Sequence, residues 1–337
     1  MTTPAAPTGP FGTQFAPRMT LTRWKDGAWA TPELVDVGPL PFHPATHVFH
    51  YASACFEGLK AHRGTGGDVR LFRLDRHVER MRRSSSVLML PDPGTEMLTS
   101  MVLEAVAANR DHVPATPGSL YLRPTLFGTE PNIGAAGVPS KEAMLYVLCS
   151  PVGDYFAGGL RPLRIAIETT HPRTTPAFGR VKAGANYVMA LGITMRAKQE
   201  LGVDQILFAP GGDVQETGAS NFLLLDDDRV VTKGLDDSFL HGVTRDSVLT
   251  LARDLGYRVE ERDLSVDEVL AWAARGGEAA LSGTAAVLAP VGTFVVGGET
   301  VQVGDGGVGR NTLRLRDALT ALHAGAAPDR HGWIRTI

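Results

Sequence analysis

A chain of 337 residues, 43% hydrophobic and 20% charged, has room for two ordinary domains and the make-up of a folded soluble protein, not of a disordered or fibrous one. With a formal net charge of -3 and no long Lys/Arg block, it lacks the positive field that would draw nucleic acid. Cys55 and Cys149 lie in apolar runs without metal-ligand or redox spacing and read as reduced core residues, so no metal is expected. The start, MTTPAAPTGPFG, lacks the charged end and apolar run of a signal peptide, and no apolar stretch approaches membrane-spanning length. The expected setting is cytoplasmic, with about the first ten residues mobile.

In chain order, apolar spacing predicts two amphipathic helices between residues 71 and 110, in LFRLDRHVERMRRSSSVLML and GTEMLTSMVLEAVAANR, parted by Pro-Asp-Pro. SLYLRPTLFGT and AMLYVLCSPV, bounded by Gly, Pro and Ser, predict strands. The loop between them, EPNIGAAGVPSKE, is long and rich in Gly and Pro, and loops of that length are often functional. FAGGLRP, 156–162, is the expected connection between halves. The second half opens on the strand LRIAIETT and continues into a helix, NYVMALGITMRAKQELG, closed by glycine. QILFAPGGDVQETGASNFLLLDDDRVVTKG predicts three strands with turns at Gly-Gly-Asp and Asp-Asp-Asp. Helices follow at GVTRDSVLTLARDLG, at SVDE, where Ser265 and Glu268 fit a capping box, and at NTLRLRDALTALHAG. The mixture predicts an α+β or mixed α/β fold with domains at 1–157 and 172–337, joined by a connection and first strand at 158–171.

Lys182, one of six lysines, sits in GRVKAGANYVMALG, where small residues let the backbone approach a flat ligand. A buried amine is costly to keep charged without compensation and makes a good Schiff-base nucleophile, although a surface lysine at a helix start is the commoner meaning of such a segment. Glu216, between a turn and an apolar strand, is the kind of acid that pyridoxal chemistry needs beside the pyridine nitrogen; most strand-flanking carboxylates are merely solvated. Gly242, Val243 and Thr244 open a helix, and its unpaired N–H groups with a Thr hydroxyl at the cap suit an anion, ordinary capping being the plainer alternative. Ser282, Gly283 and Thr284 form a similar turn between apolar runs.

These segments occur with HYASACFEGLKAHRG, RLFRLDRHVERM, SLYLRPTLFGTEPNIG, KAGANY, ETGASN, GVTR and SGTAA. In that order and spacing the chain resembles the class IV pyridoxal-phosphate aminotransferases, and closely the longer subgroup of branched-chain amino acid aminotransferases, over nearly its whole length. The resemblance implies a type IV fold, a smaller N-terminal α/β domain and a larger C-terminal one with pyridoxal 5'-phosphate at their junction. It implies a homodimer whose loop near Ile133–Ala135 reaches the neighbouring site. It makes Lys182 the Schiff-base lysine, Glu216 the acid at the pyridine nitrogen, Tyr187 the tyrosine near the ring hydroxyl, and Arg80 the phosphate-binding arginine, helped by Val243, Thr244 and Thr284. It assigns Tyr51, Phe56, Tyr121, Val152 and Tyr155 to the apolar substrate pocket, Arg123 to the side-chain carboxylate of glutamate or 2-oxoglutarate, and the Thr284 and Ala285 N–H groups to the α-carboxylate.

The activity so implied is transfer of the amino group of L-leucine, L-isoleucine or L-valine to 2-oxoglutarate in two half-reactions, with Lys182 as general base and acid. Ala135, Asp154, Ala185 and Ala219 depart from the family pattern and bear on substrate width and polarity. They keep open an alternative, a class IV aminotransferase of a specialised pathway acting on an unusual or bulkier amino acid. A non-catalytic cofactor-binding protein is a third reading, which the pairing of Lys182 with Glu216 argues against.

Overall fold

The computed structural model describes residues 9–156 and 158–337; the N-terminal stretch expected to be mobile lies, through residue 8, outside them. Contacts divide the chain into two compact units. Unit 1 takes the chain through Tyr155 together with Val181–Gly184 and Leu322–Ile337, and unit 2 takes Phe156–Arg180 and Ala185–Ala321.

Unit 1 begins with β1 (Arg18–Lys25), β2 (Ala28–Trp29), β3 (Glu33–Asp36), the short α1 (His47–Tyr51), β4 (Ala54–Phe56), β5 (Leu59–Arg63) and β6 (Val69–Phe72). The two expected helices follow as α2 (Leu74–Val87) and α3 (Thr95–Ala108), and the two expected strands as β7 (Ser119–Gly128) and β8 (Ala143–Val152). Strands pair antiparallel in the order β6-β5-β7-β8-β1-β2, with β3 on β1 and β4 on β7. The alternation in β7 decides the layering. Leu120, Leu122 and Leu126 enter the core with Leu59, Leu145 and Val147, covered by Val78 and Met81 of α2 and Leu98, Met101 and Ala105 of α3. Each of the Leu, Val and Met side chains, fully buried, stabilises the unit by about 1.5–3 kcal/mol relative to exposure. Tyr121 and Arg123, one residue out of phase, take the opposite face.

Unit 2 runs through β9 (Leu163–Glu168), α4 (Gly184–Leu201), β10 (Gln205–Phe208), β11 (Asn221–Leu225), β12 (Arg229–Thr232), α5 (Val243–Asp254), β13 (Arg258–Glu261), α6 (Val266–Ala274), β14 (Glu278–Gly283), β15 (Val287–Val296), β16 (Glu299–Gln302) and α7 (Arg310–Ala324). Gly184 at the start of α4 and the last three residues of α7 count with unit 1, and the chain ends in β17 (Ile334–Thr336), which adds a strand to unit 1 on β6. The unit 2 sheet is mixed, in the order β10-β9-β15-β14-β11-β12-β13 with β16 on β15. β9 pairs parallel with both β10 and β15, and β12 with β13. Parallel neighbours need a long crossover, and the one from β9 to β10 carries Lys182 and α4. Ala190 of α4 packs on Ile206 and Phe208, while Val188, Met189, Leu191 and Met195 stay exposed.

The expected capping box is half made. Ser265 Oγ accepts the Glu268 N–H at 3.1 Å, but the Glu268 carboxylate is taken by Arg262 at 2.6 and 2.9 Å. Among the described residues no helix is long and apolar enough to cross a membrane.

Candidate active site

In unit 1, Lys182 is held as a short extended piece beside β4. Its N–H donates to Ser84 Oγ at 3.0 Å, its carbonyl accepts the Phe56 N–H at 3.0 Å, and Ala183 bridges Cys55. The small side chains at 183–185 allow this approach. The Lys182 ammonium nitrogen lies 5.0 Å from the centre of the Phe56 ring, and the Arg123 guanidinium lies 4.6 Å from the same ring and 5.3 Å from that of Tyr121. Arg123 Nη2 also donates to the Tyr121 hydroxyl at 3.0 Å. The period-two alternation of β7 thus puts Tyr121 and Arg123 together with Phe56, which pairs through β4 with Thr125. Val152, buried at the end of β8 and paired with Ser119, shares that face. Tyr155 joins through Phe11, whose ring meets Tyr121 edge-on at 5.0 Å and Tyr155 at 6.2 Å. Tyr51 is tied elsewhere by its described contacts: its hydroxyl donates to the Ile133 carbonyl and its ring lies 4.9 Å from that of His47. Ala135, in the same loop as Ile133, is buried.

Arg80 is deeply embedded. Its Nε and Nη2 donate to the two oxygens of Glu57 at 2.6 and 2.8 Å, with both side chains under a tenth exposed. His77, one turn back on α2, donates from Nδ1 to Glu57 at 2.8 Å, and the Gly58 N–H adds a fourth bond at 3.1 Å. Burial alone would raise the Glu57 pKa, but the charge and bonds of Arg80 outweigh it and hold the carboxyl well below the usual range. Burial lowers His77 despite its carboxylate partner, so the ring is a neutral donor. Cys55 and Cys149 are free, buried thiols, each pushed by burial up to about 12, as core residues should be.

In unit 2, Glu216 is 2% exposed and fully engaged. Arg173 Nη2 reaches it at 2.7 Å, the Leu240 N–H at 2.9 Å and Asn221 Nδ2 at 3.1 Å. The Arg173 guanidinium also lies 5.9 Å from the ring of Tyr187, at the end of the first turn of α4. Asn221 links this carboxylate to the start of α5: a Cβ on Gly242 would stand 2.0 Å from Asn221 Oδ1. That contact explains a correction to the sequence reading. Gly242, not Thr244, is the cap of α5, Thr244 is the second helical residue, and no side chain caps the helix. The first-turn N–H groups of Val243 and Thr244 are therefore left for another acceptor. Asn221 also pairs with Ser282, and Gly283 lies against Ser220, which brings the β14–β15 turn of Thr284 and Ala285 to the same place. Ser282 Oγ is buried with no hydrogen-bond partner among the described residues. An anionic carboxylate braced by arginine, an uncapped helix start and an orphaned buried hydroxyl fit a phosphate-bearing pyridine ring.

Glu57, His77, Arg173, Asn221 and Phe11 were not singled out from sequence. The available signals were a lone acid inside ACFEGL, a His and an Arg three apart on one helix face, and an arginine in the loop before the lysine.

A family model described as Amino-transferase class IV matches residues 54–294. The probable branched-chain-amino-acid aminotransferase of Streptomyces coelicolor is 38% identical over 97% of this chain and 92% of its own length. Branched-chain-amino-acid aminotransferase 2 of Bacillus subtilis is 34% identical with the same coverage. Among solved structures, a T.th. branched-chain amino acid aminotransferase with pyridoxamine 5'-phosphate superposes with a TM-score of 0.78 at 27% identity, covering 96% of this chain and 99% of that one. The same protein complexed with N-(5'-phosphopyridoxyl)-L-glutamate gives 0.75 at 28%, covering 93% and 97%. With the fold, the lysine segment and the braced carboxylate in agreement, the chain belongs to the class IV aminotransferases.

Proposed function

We propose that this aminotransferase moves the amino group of L-leucine, L-isoleucine or L-valine to 2-oxoglutarate, using pyridoxal 5'-phosphate. The observation that carries the reading is the wall on which Phe56, Tyr121 and Arg123 gather with Lys182. Aromatic faces suit a branched apolar side chain, and a guanidinium braced by a tyrosine hydroxyl suits the side-chain carboxylate of the second substrate. The curated relatives carry the branched-chain name, and one solved relative was complexed with a phosphopyridoxyl-glutamate.

In this reading Lys182 holds the cofactor through its amine, Glu216 serves the ring nitrogen and Tyr187 the ring hydroxyl. Arg80, Val243, Thr244 and Thr284 hold the phosphate. When bound, the cofactor supplies an electron sink for the substrate α-carbon. Lys182 Nζ takes the α-proton of the amino donor as general base and returns one as general acid in the second half-reaction. Glu216, paired with Arg173 at 2.7 Å, would accept the N–H of the ring nitrogen. The Thr284 and Ala285 N–H groups orient the α-carboxylate, while Phe56, Tyr121, Val152 and Tyr155 exclude water from the side chain and Arg123 receives a carboxylate there. Tyr51 enters the proposal through the family resemblance, its own described contacts being with Ile133 and with the rings of His47 and His50.

The same proposal includes a homodimer in the cytoplasm. Val188, Met189, Leu191 and Met195 form an exposed apolar stripe on α4, and Ile133 is 67% exposed at a loop tip. Apolar surfaces of this kind mark protein contacts, and a second copy bringing its Ile133–Ala135 loop to the neighbouring site matches this one.

The test is the visible spectrum of the purified protein before and after L-leucine is added without a keto acid. A yellow protein whose long-wavelength band bleaches with leucine, and K182A protein that shows neither property, is the expected result. A band that ignores leucine, isoleucine and valine but bleaches with a bulkier donor would move the assignment to a specialised substrate. Bleaching that survives K182A would overturn the role of Lys182.

A further inference from the structure

The turn between β14 and β15 contains a conformation that its sequence does not favour. Gly283 pairs with Val287, so residues 284–286 form the loop, and Val287 has φ 65. A β-branched residue in the left-handed region is strained, because its Cβ crowds the backbone, and such a residue persists only where its surroundings over-determine it. One side chain acts on both neighbours of Val287. Arg316, on α7, donates from Nη1 to the carbonyls of Ala286 and, at 2.8 Å, of Leu288, the residues on either side of Val287. The Arg316 guanidinium also lies 5.8 Å from the Phe156 ring.

We propose that Arg316 is a positioning residue for the substrate α-carboxylate: it pins the strained turn so that the Thr284 and Ala285 N–H groups face the carboxylate. The inference rests on the reading of this turn as the carboxylate site. A carbonyl oxygen turned toward that site would repel an anion, and Arg316 holds the Ala286 oxygen on its own charge instead. The two bonds on either side of Val287 fix the peptide planes that a free hairpin loop would leave to fluctuate, so the N–H groups need no rearrangement when the substrate arrives. Arg316 itself does not have to touch the substrate for this effect.

The experiment uses the cofactor-loaded protein and measures, by calorimetric titration, the dissociation constant of 4-methylvalerate, a leucine-shaped carboxylate with no amine to react. Arg316→Gln removes the charged donor and shortens the side chain, and its dissociation constant is expected to rise roughly tenfold, equivalent to about 1.4 kcal/mol. The dissociation constant for pyridoxal phosphate, titrated into cofactor-free protein, is expected to move less than about threefold, well under that amount. Val287→Gly removes the steric reason for the clamp, since glycine adopts positive φ freely. The double variant R316Q/V287G is therefore expected to bind 4-methylvalerate at least about threefold more tightly than R316Q alone. A merely structural Arg316 would show no such rescue. Should R316Q fail to fold, Arg316→Lys reads the same effect, because the lysine nitrogen ends one bond short of the position from which Nη1 reaches both carbonyls. An unchanged dissociation constant in these variants, or an R316Q defect that V287G does not relieve, overturns the proposal. Ala285→Pro deletes one of the N–H groups. If A285P leaves 4-methylvalerate binding intact, the carboxylate reading of the turn fails; if A285P weakens binding while R316Q does not, that reading stands and the role of Arg316 fails.

Discussion

Replacing Glu57 by glutamine changes the shape of the site by almost nothing and its charge by one unit. The wild-type carboxylate accepts Arg80 Nε at 2.6 Å, Arg80 Nη2 at 2.8 Å, His77 Nδ1 at 2.8 Å and the Gly58 N–H at 3.1 Å. Every one of these atoms is a donor. A glutamine offers one acceptor oxygen and one NH2, so at least one donor must face another, and the buried Arg80 guanidinium loses its counter-ion. Breaking a buried pair on one side costs about 3–5 kcal/mol, a fifth or more of the roughly 5–15 kcal/mol that holds a typical protein folded. Urea unfolding of cofactor-free E57Q, followed by far-ultraviolet circular dichroism, should show a loss of that size. The extra stability gained on adding pyridoxal phosphate should shrink as well, because ligand stabilisation tracks affinity and Arg80 is no longer held in place. The double variant E57L/R80M removes both charges. It should recover most of the stability, to within about 2 kcal/mol of wild type, without recovering the cofactor increment. Acid supplies a second reading: the folded Glu57 pKa lies below its unfolded value, so its contribution is complete above about pH 4.3 and drains away as pH falls toward the folded value. E57Q should therefore lose less stability than wild type over that acid limb. A stability loss below about 1 kcal/mol with an undiminished cofactor increment would refute the claim that Glu57 braces Arg80.

Two further variants test other parts of the structure. Arg123→Met should raise the KM for 2-oxoglutarate at least about tenfold, the worth of a charge-assisted bond, while the KM for leucine moves far less; equal effects on both substrates would refute its role in receiving the carboxylate. His323, stacked on His62 at 4.4 Å, is pushed by burial, with a lesser push from the charge of Lys60, down to about 3, and His62 is lowered well below its usual value by burial and by His323. The folded state keeps both rings neutral, so their contribution is full above about pH 6.5 and is lost as pH falls toward the folded values. Melting temperatures of H323F between neutral and mildly acid pH should decline less steeply than those of wild type, and an identical slope would exclude the pair as an acid-sensitive contact.

Local periodicity made the long elements legible. α2 and α3 around Pro91 and Pro93, the alternation of β7, and α5 after a glycine all follow from residues close together in sequence. Among the candidate site residues, Lys182 and Glu216 could be singled out from their local company, whereas Arg123 came only with the family resemblance. What could not be read was partnership. Nothing local in ACFEGL says that Glu57 will meet a helix twenty residues on, and Arg173 in HPRTTPAFGRVK resembles any loop arginine until Glu216 folds beside it. Thr244 was misplaced at the cap because threonine is the better capping residue; the tertiary neighbour Asn221, which forbids a Cβ at 242, overrode that preference. Short edge strands such as β2 and β17 carry too few residues for a period and owe their existence to the strands they meet.

The two buried Arg–Glu pairs solve one problem in opposite senses. In unit 1 the proposed reader of the cofactor is the arginine, Arg80, and Glu57 is its brace; in unit 2 the reader is the carboxylate, Glu216, and Arg173 is its brace. A reader charge buried alone would be neutralised or would distort its surroundings to find water. A brace cancels part of the charge offered to the ligand, but it fixes the direction of what remains, and in a site shielded from water a correctly oriented dipole is worth more than a larger charge that must first be turned. Variants of the two braces should therefore differ from variants of the readers in kind. Loss of a reader removes an interaction from the bound state, whereas loss of a brace leaves the interaction possible and adds the cost of ordering it, so brace variants should regain function at saturating cofactor where reader variants do not.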